Sequence, residues 1–426
     1  MKRIAAGLLA AVALALAIAS SAGGWDRADD LRVAAPPAAT APATTTAPAA
    51  MAVARGAYLA RIGHCAGCHT APGAADYAGG RVINTPFGAI AAANLTPDPQ
   101  HGLGRWTAAA FRRALREGRS ADGRALLPAC PYPNFSLISD ADADDLWAYL
   151  QSRPAAAQPV PPHALRFPYR LPVALTVWRA LRFQPAQLPD LADGTLRRGA
   201  YLVGGLGHCS ACHGRRDALG ATAGAWDFRG GIIPEQGWLA PSLQDPRAAG
   251  AAAWPPAETA ALLKTGRNAQ ATVSGPMAVV VAHSTQHLSD ADAAAVAAYL
   301  HQLPVTPEPA PPPAPAPTAA TQALGDKLYE RHCADCHGKQ GEGVADDGPA
   351  LAGNRALALA SPVNVVRMVL GGGFGPSTAA HPRPPGMPPF ATLLGDEEVA
   401  AVVSQVRWRF GNRASAVDAL EVNRQR

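Results

Sequence analysis

The stretch "RGAYLARIGHCAGCH", from Arg55 to His69, decides the fold of this chain. It ends in C-x-x-C-H, the covalent attachment motif for c-type haem. In that motif two thiols add across the vinyl groups of the porphyrin, and the adjacent histidine places its imidazole on the iron. The stretch therefore predicts a haem domain in which a helical turn carries the attachment residues.

The same unit recurs twice further along the chain. It returns as "RGAYLVGGLGHCSACH" from Arg198 and, more loosely, as "GDKLYERHCADCH" from Gly325. Three motifs predict three covalently bound haem c groups, since zinc, the alternative ligand of C-x-x-C pairs, does not account for three C-x-x-C-H units in separate repeats. The predicted attachment cysteines and proximal histidines are Cys65, Cys68 and His69; Cys209, Cys212 and His213; and Cys333, Cys336 and His337.

Each repeat closes with a similar segment. "SDADADDLWAYL" begins at Ser139, "SDADAAAVAAYL" at Ser289 and "GDEEVAAVVSQV" at Gly395. A serine followed three residues later by an aspartate is typical of a helix N-terminus, and the apolar residues that follow have helical spacing. No strand-like alternation of comparable strength occurs. The chain is therefore predicted to be mainly α, with three helical domains and long loops.

The second axial ligand of each iron is predicted from the few methionines, because Met is the usual partner of His in electron-carrying cytochromes c. Met277 in "SGPMAVV" and Met387 in "PPGMPPF" precede the closing helices in predicted Pro/Gly-rich loops, where a methionine has no core to fill. Both are predicted iron ligands. Met368 has helical spacing among valines and is predicted to be a core residue.

The corresponding stretch of the first repeat, "LLPACPYPNF", carries Cys130 instead of a methionine. Three roles are open for this seventh cysteine: a thiolate ligand of the first haem, an unligated buried thiol beside that haem, or an intermolecular disulfide. His101 or His163 could replace it as the ligand.

Composition and the N-terminus limit the class of protein. A net charge of +5 with scattered basic residues gives no strip for nucleic acid, and none is expected as a partner. Few charged and aromatic residues, at 16% and 6%, predict cores built either from small side chains or around a large apolar cofactor. The opening "MKRIAAGLLAAVALALAIASSAGGW" predicts export, either through a signal peptide cleaved near Ala22 or with a retained anchor.

Proline-rich zones divide the chain, and residues 154–194 include a short apolar helix that is expected to lie on protein or on a membrane surface. The predicted segments are a signal peptide or anchor at 1–24, a tether at 25–50, haem domains at 51–153, 195–303 and 321–412, a connecting strap at 154–194, a Pro-rich linker at 304–320 and a C-terminal tail at 413–426.

The chain resembles the three-haem cytochrome c subunits of membrane-bound bacterial dehydrogenases, of the quinoprotein alcohol, flavin-dependent gluconate, and molybdenum aldehyde or nicotinate types. The segments "RGAYLARIGHCAGCHTAPG", "TPFGAIAAANLTPD", "GPMAVVVAHSTQHLSDAD" and "MPPF" carry the resemblance. It implies three tandem class I cytochrome c-like domains joined by Pro-rich linkers. The family often has a methionine where this chain has Cys130.

The resemblance also implies a function. Such a subunit is not itself catalytic: it takes electrons from a large quinoprotein, flavoprotein or molybdenum subunit and relays them to ubiquinone or another acceptor. It would be membrane-associated, on the periplasmic face of the bacterial inner membrane. Two alternatives are a self-contained multihaem oxidoreductase with a Cys-ligated haem and the cytochrome subunit of a terminal oxidase.

Overall fold

The structure, a computed structural model, describes residues 47–426 except 235, 249–253, 269–270, 307–314 and 346–347. The predicted signal or anchor at 1–24 and most of the predicted tether lie outside the described residues. Contacts divide the chain into two units. The first consists of the described residues up to Ala57 with Cys68–Ala186, and the second of Tyr58–Gly67 with Gln187–Arg426.

The described chain is mainly helical, as the repeats predict. A π-helical turn, Tyr201–Leu206, and a 3-10 turn, Thr285–His287, accompany the α-helices. The α-helices in chain order are α1 Ala47–Ile62, α2 Cys65–His69, α3 Ala108–Glu117, α4 Tyr132–Phe135, α5 Asp140–Gln151, α6 Pro172–Arg182, α7 Gly194–Ala200, α8 Ser210–His213, α9 Pro256–Thr265, α10 Gly275–His283, α11 Asp290–His301, α12 Ala319–His332, α13 Ala334–His337, α14 Arg355–Ala358, α15 Val363–Gly371, α16 Asp396–Trp408 and α17 Ala419–Asn423.

The strands are short and antiparallel, and they form small sheets at the loops. They are β1 Val82–Thr85, β2 Gly88–Ala91, β3 Ala164–Leu165, β4 Gly231–Ile232, β5 Leu239–Ala240, β6 Gly373–Phe374 and β7 Gly386–Met387. β2 lies between β1 and β3, β4 pairs with β5, and β6 pairs with β7. Each strand has only two to four residues, too few for an alternating apolar pattern to stand out in the sequence. The sequence therefore predicts helices alone.

In each repeat the helix before the haem motif packs on the closing helix at a glycine. A Cβ atom at any of these glycines would overlap a carbonyl oxygen of the facing helix, so only glycine allows the two backbones to approach so closely. The overlapping pairs are Gly56 with Asp145 O at 1.9 Å, Gly199 with Ala295 O at 2.1 Å and Gly325 with Ala401 O at 2.6 Å.

Charged side chains hold the same crossings together. Arg55 donates two hydrogen bonds to Asp145, at 2.6 and 2.9 Å, and Arg198 donates two to Asp292, both at 2.8 Å. In the third repeat the carboxylate lies on the first helix instead, where Asp326 accepts hydrogen bonds from Gln405 on α16 and from Arg409 at its end. Bidentate guanidinium–carboxylate pairs fix geometry as well as charge, so the first two crossings have a defined register.

The predicted starts of the closing helices are confirmed. Ser139 Oγ accepts from the backbone N–H of Asp142 at 3.1 Å, and Ser289 Oγ accepts from that of Asp292 at 3.1 Å. In the third repeat the cap acts in the other direction, because the Glu398 carboxylate accepts from the Gly395 N–H at 2.9 Å. Each closing helix therefore begins where an orphan backbone donor finds a side-chain oxygen.

The second repeat has one residue more than the first between its packing glycine and its first haem cysteine. The π-helical turn Tyr201–Leu206 absorbs this residue, and the Gly207 N–H bonds the Leu202 carbonyl at 2.7 Å. A π-turn accommodates one inserted residue without ending the helix. The haem motif of the second repeat therefore keeps its place relative to the helix crossing.

The predicted strap is bonded to the first unit on one side. α6 follows β3, and Arg179 on α6 donates to the Glu117 carbonyl at 2.7 Å while its guanidinium lies 4.7 Å from the Phe183 ring centroid. The strap also has exposed apolar side chains, with Phe167 71% exposed. Among the described residues, no helix has both the length and the apolar composition needed to cross a membrane.

The C-terminal tail packs on the third repeat. Val417 and Val422 are buried in the core of that repeat. Ser404 Oγ on α16 accepts from the Val417 N–H at 2.8 Å, which fixes the chain where it turns back. The tail is therefore part of the third helical core.

Candidate functional site

Each C-x-x-C-H motif folds as a short helical segment directly after a longer helix, at α2, α8 and α13. In the first two repeats the residue before the first cysteine turns the chain sharply: His64 has φ 54° and His208 has φ 37°. Histidine tolerates this left-handed region better than most residues. The turn separates the packing helix from the attachment segment, whereas α12 of the third repeat continues to the residue before Cys333.

The motif histidines have their Nδ1 atoms at backbone carbonyl oxygens. A carbonyl can only accept, so Nδ1 carries the proton and the Nε2 lone pair is available to a metal. Such a bond also fixes the ring orientation and raises the basicity of the ligand nitrogen. The pairs are His69 with Ala93 O at 2.7 Å, His213 with Pro241 O at 2.8 Å and His337 with Pro349 O at 2.8 Å.

Burial lowers the pKa of each of these three histidines, and the carbonyl hydrogen bond offsets part of that effect. Burial acts in this direction because it disfavours the charged imidazolium. The neutral form is the one that binds iron, so the electrostatics and the hydrogen bonding of His69, His213 and His337 favour the same ligand state.

The second repeat encloses a cavity of about 280 Å³ whose lining is mostly apolar. Cys209, Cys212, His213 and Met277 all line it, so the structure brings the predicted ligand set of the second haem together. The sequence predicted Met277 in a loop, but it lies in the first turn of α10. The loop prediction is wrong here because proline is compatible with the first turn of a helix, so a Pro/Gly-rich stretch can begin one.

The cavity also contains polar atoms that have no partner in the described part of the chain. Trp254 Nε1 and Thr259 Oγ1 are buried, line the cavity and make no hydrogen bond. Unpartnered buried donors are costly, so they indicate a ligand with acceptors at its edge. An apolar cavity with two thiols, an imidazole, a thioether and unpartnered polar atoms fits a haem c.

In the first repeat the structure brings Cys130 near Cys68. Burial raises the pKa of Cys130 to about 12, and the neighbouring Cys68 adds to the rise. Cys130 lies in the turn before α4, where its N–H bonds the Leu127 carbonyl at 3.3 Å. His101 and His163 are both exposed, and Nδ1 of His163 accepts from a backbone N–H of β2 at 3.3 Å. Of the three candidate ligands, Cys130 is therefore the one whose pKa is affected by an attachment cysteine.

In the third repeat Cys333 and Met387 pack against the same core cluster. Met387 lies in β7, opposite Gly373 of β6, where the sequence predicted a loop. The alternative methionine, Met368, is half-buried on α15. Two residues of the third predicted set, Cys333 and Met387, thus lie against one core.

Sequence reasoning missed the carbonyl acceptors of the histidines and the donors Trp254 and Thr259. A signal for the acceptors exists: the acceptor residue is followed two residues later by leucine in all three repeats, as "ANL", "PSL" and "PAL". The leucines are Leu95, Leu243 and Leu351. No comparable repeat marks the tryptophan.

The family profile described as "Cytochrome c" matches residues 53–154, 197–304 and 322–409. The protein named alcohol dehydrogenase (quinone), cytochrome c subunit, of Gluconobacter oxydans is 37% identical over 395 residues, covering 88% of this chain and 82% of that protein.

Two further relatives cover similar shares. The gluconate 2-dehydrogenase cytochrome c subunit of Pantoea cypripedii is 35% identical over 386 residues, covering 85% of this chain and 87% of that protein. The fructose dehydrogenase cytochrome subunit of Gluconobacter japonicus is 32% identical over 414 residues, covering 88% and 82%. The similarity therefore includes all three repeats.

Proposed function

Because this chain belongs to the cytochrome c family, we propose that it takes electrons from a quinoprotein, flavoprotein or molybdenum dehydrogenase subunit and delivers them to ubiquinone or another respiratory acceptor. The chain is a cytochrome c subunit with three covalently bound haem c groups, and its partner is a catalytic dehydrogenase. The type of partner, the acceptor and the residues at each haem belong to the proposal.

The proposed attachment sites are the three C-x-x-C-H motifs, with His69, His213 and His337 as proximal ligands. The observation that carries this assignment is the carbonyl bond to each Nδ1, which leaves each Nε2 free. A bound haem c supplies reversible one-electron chemistry at its iron. The protein's own part is to hold each imidazole neutral and in one orientation.

The ligand on the other face is proposed to differ between the repeats. Met277 and Met387 serve the second and third haems, and a thioether ligand raises the reduction potential. Cys130 takes this place in the first repeat, supported by its position near Cys68. A thiolate there lowers the potential of the first haem, which would make that haem the entry point of the relay.

The relatives support a relay rather than substrate chemistry in this chain. The printed names of the three relatives above are those of cytochrome subunits of alcohol, gluconate and fructose dehydrogenases. A self-contained multihaem oxidoreductase and a terminal-oxidase subunit are therefore not favoured. The relatives also indicate an exported protein. We place it on the periplasmic face of the inner membrane, where a dehydrogenase and a quinone pool are both accessible.

The test is purification of the tagged chain from its own host. We expect it to co-purify with a large dehydrogenase subunit, to contain three haems per chain by pyridine haemochrome assay, and to become reduced by that subunit's substrate. The matched control is the chain expressed alone with a haem-attachment system: the same substrate should leave its haems oxidised. If the chain alone oxidises a small substrate, the proposed function is overturned.

A further inference from the structure

The cavity of the second repeat has one permanently charged side chain among the described residues that line it, and that side chain comes from the third repeat. It is Arg355, the first residue of α14. Its Nη1 donates to the Pro246 carbonyl at 2.6 Å, and its guanidinium carbon lies 5.7 Å from the ring centroid of Trp254. A cation and an unpartnered indole N–H therefore occupy the same edge of an apolar cavity.

Haem carries two carboxylates, and these are the groups that such an edge would bind. A carboxylate placed against apolar protein is costly unless it has a hydrogen-bonded counter-charge. A guanidinium has five N–H donors, and the hydrogen bond to the Pro246 carbonyl uses only one nitrogen of Arg355. The guanidinium therefore retains donors for a carboxylate. The rest of the lining offers no other permanent positive charge among the described residues.

We propose that Arg355, on the third repeat, pairs with a carboxylate of the second haem, so that the third repeat sets the reduction potential of its neighbour. The proposal rests on the proposed attachment of that haem to Cys209, Cys212 and His213. It makes Arg355 a positioning and electrostatic residue for a cofactor that its own repeat does not attach.

Contacts within the second unit hold Arg355 at this edge. The Asn364 side chain bonds both backbone groups of Leu239, accepting at 2.9 Å and donating at 2.8 Å. Leu239 lies two residues before Pro241, the carbonyl partner of the proximal histidine. The third repeat is therefore bonded to the loop that orients the imidazole.

A positive charge at the haem edge favours the reduced state, because the oxidised iron carries one more positive charge. Removing a unit charge from the edge of a partly screened site changes this equilibrium about tenfold. For a one-electron couple, a tenfold change equals about 59 mV. We therefore expect Arg355→Gln to lower the potential of the second haem by about this amount.

The experiment is potentiometric titration of the full three-haem chain, followed by absorbance and electron paramagnetic resonance. Arg355→Gln should lower one midpoint potential and leave the other two unchanged, while Arg355→Lys, which keeps the charge, should restore most of the loss. Arg367→Gln is the matched control, because Arg367 lies at the same interface but does not line the cavity. It should leave all three potentials in place.

Asn364→Ala separates the effect of the Arg355 charge from that of contact between the second and third repeats. It removes the hydrogen bonds to Leu239 and leaves the charge unchanged. If this variant lowers the same potential as much as Arg355→Gln does, the effect is one of docking and the proposal is overturned. An unchanged titration of Arg355→Gln overturns it as well. The number of attached haems separates failure of this proposal from failure of the proposed function. Three haems with unshifted potentials would leave the proposed function standing. A wild-type chain without attached haem would refute the proposed function itself.

Discussion

Gly199→Ala should destabilise the second repeat although alanine is the better helix former. The new Cβ would lie 2.1 Å from the Ala295 carbonyl oxygen and 2.7 Å from the Tyr299 Cβ, where ordinary contacts are 3.4–4 Å. α7 and α11 must therefore separate by about 1 Å or more, and so severe an overlap costs about 2–3 kcal/mol, the upper part of the usual range for overpacking. Helix propensity returns about 1 kcal/mol. We expect a net loss of about 1–2 kcal/mol.

The matched control is Gly194→Ala in the same helix. Gly194 is exposed, and a Cβ there would meet nothing within 4 Å. The substitution should be neutral or stabilise by up to about 1 kcal/mol. Differential scanning calorimetry of the haem-loaded chain should show the transition of the second unit lowered by about 3–6 °C in Gly199→Ala and not in Gly194→Ala. Equal transition temperatures in the two variants, with equal haem content, would refute the close-crossing argument.

The remaining predictions concern the ligands and the pH dependence. Met387→Leu should remove one methionine–iron charge-transfer absorption and lower one potential, whereas Met368→Leu should do neither; the reverse pattern would exchange their roles. Cys130→Ala should alter one low-spin electron paramagnetic resonance signal, and an unchanged set of signals would rule out ligation. Burial raises the pKa of Asp292, but hydrogen bonds led by that from Arg198 outweigh it, and the net pKa lies below 3.8. Its contribution of about 2 kcal/mol is complete above that pH and is lost as the pH falls through the depressed value. Asp292→Asn should therefore be less stable at neutral pH and lose this part of the acid transition in urea titrations.

The helical architecture and the start of each closing helix were predictable from the sequence because both depend on local rules. The serine caps at Ser139 and Ser289 satisfy backbone donors three residues away, and apolar spacing marks the buried face. The haem motifs were equally readable, since the chemistry requires two thiols and an imidazole within five residues. In these cases the partner of each side chain lies within one or two helical turns.

The features that escaped prediction depend on partners far along the chain. His213 and its carbonyl acceptor are 28 residues apart, and Arg355 and Pro246 are 109 residues apart. No local pattern fixes such a pairing, because loop length places only weak limits on which segments meet. The packing glycines are an intermediate case. Their recurrence was visible in the repeats, but only the observed crossing shows that a carbonyl oxygen occupies the space of a side chain.

The three predicted haem sites are alike on the side of the proximal histidine. Any difference in reduction potential between the haems must therefore come from other parts of the sites. The carbonyl bonds to the imidazoles differ by only 0.1 Å, from 2.7 to 2.8 Å, and burial lowers the pKa of all three rings. Equal proximal ligands tune the potentials equally. A graded relay through this chain must then draw its differences from the other face and from the haem edge. Those are the places where the repeats diverge, with Cys130 in place of a methionine at the first site and Arg355 from a neighbouring repeat at the second.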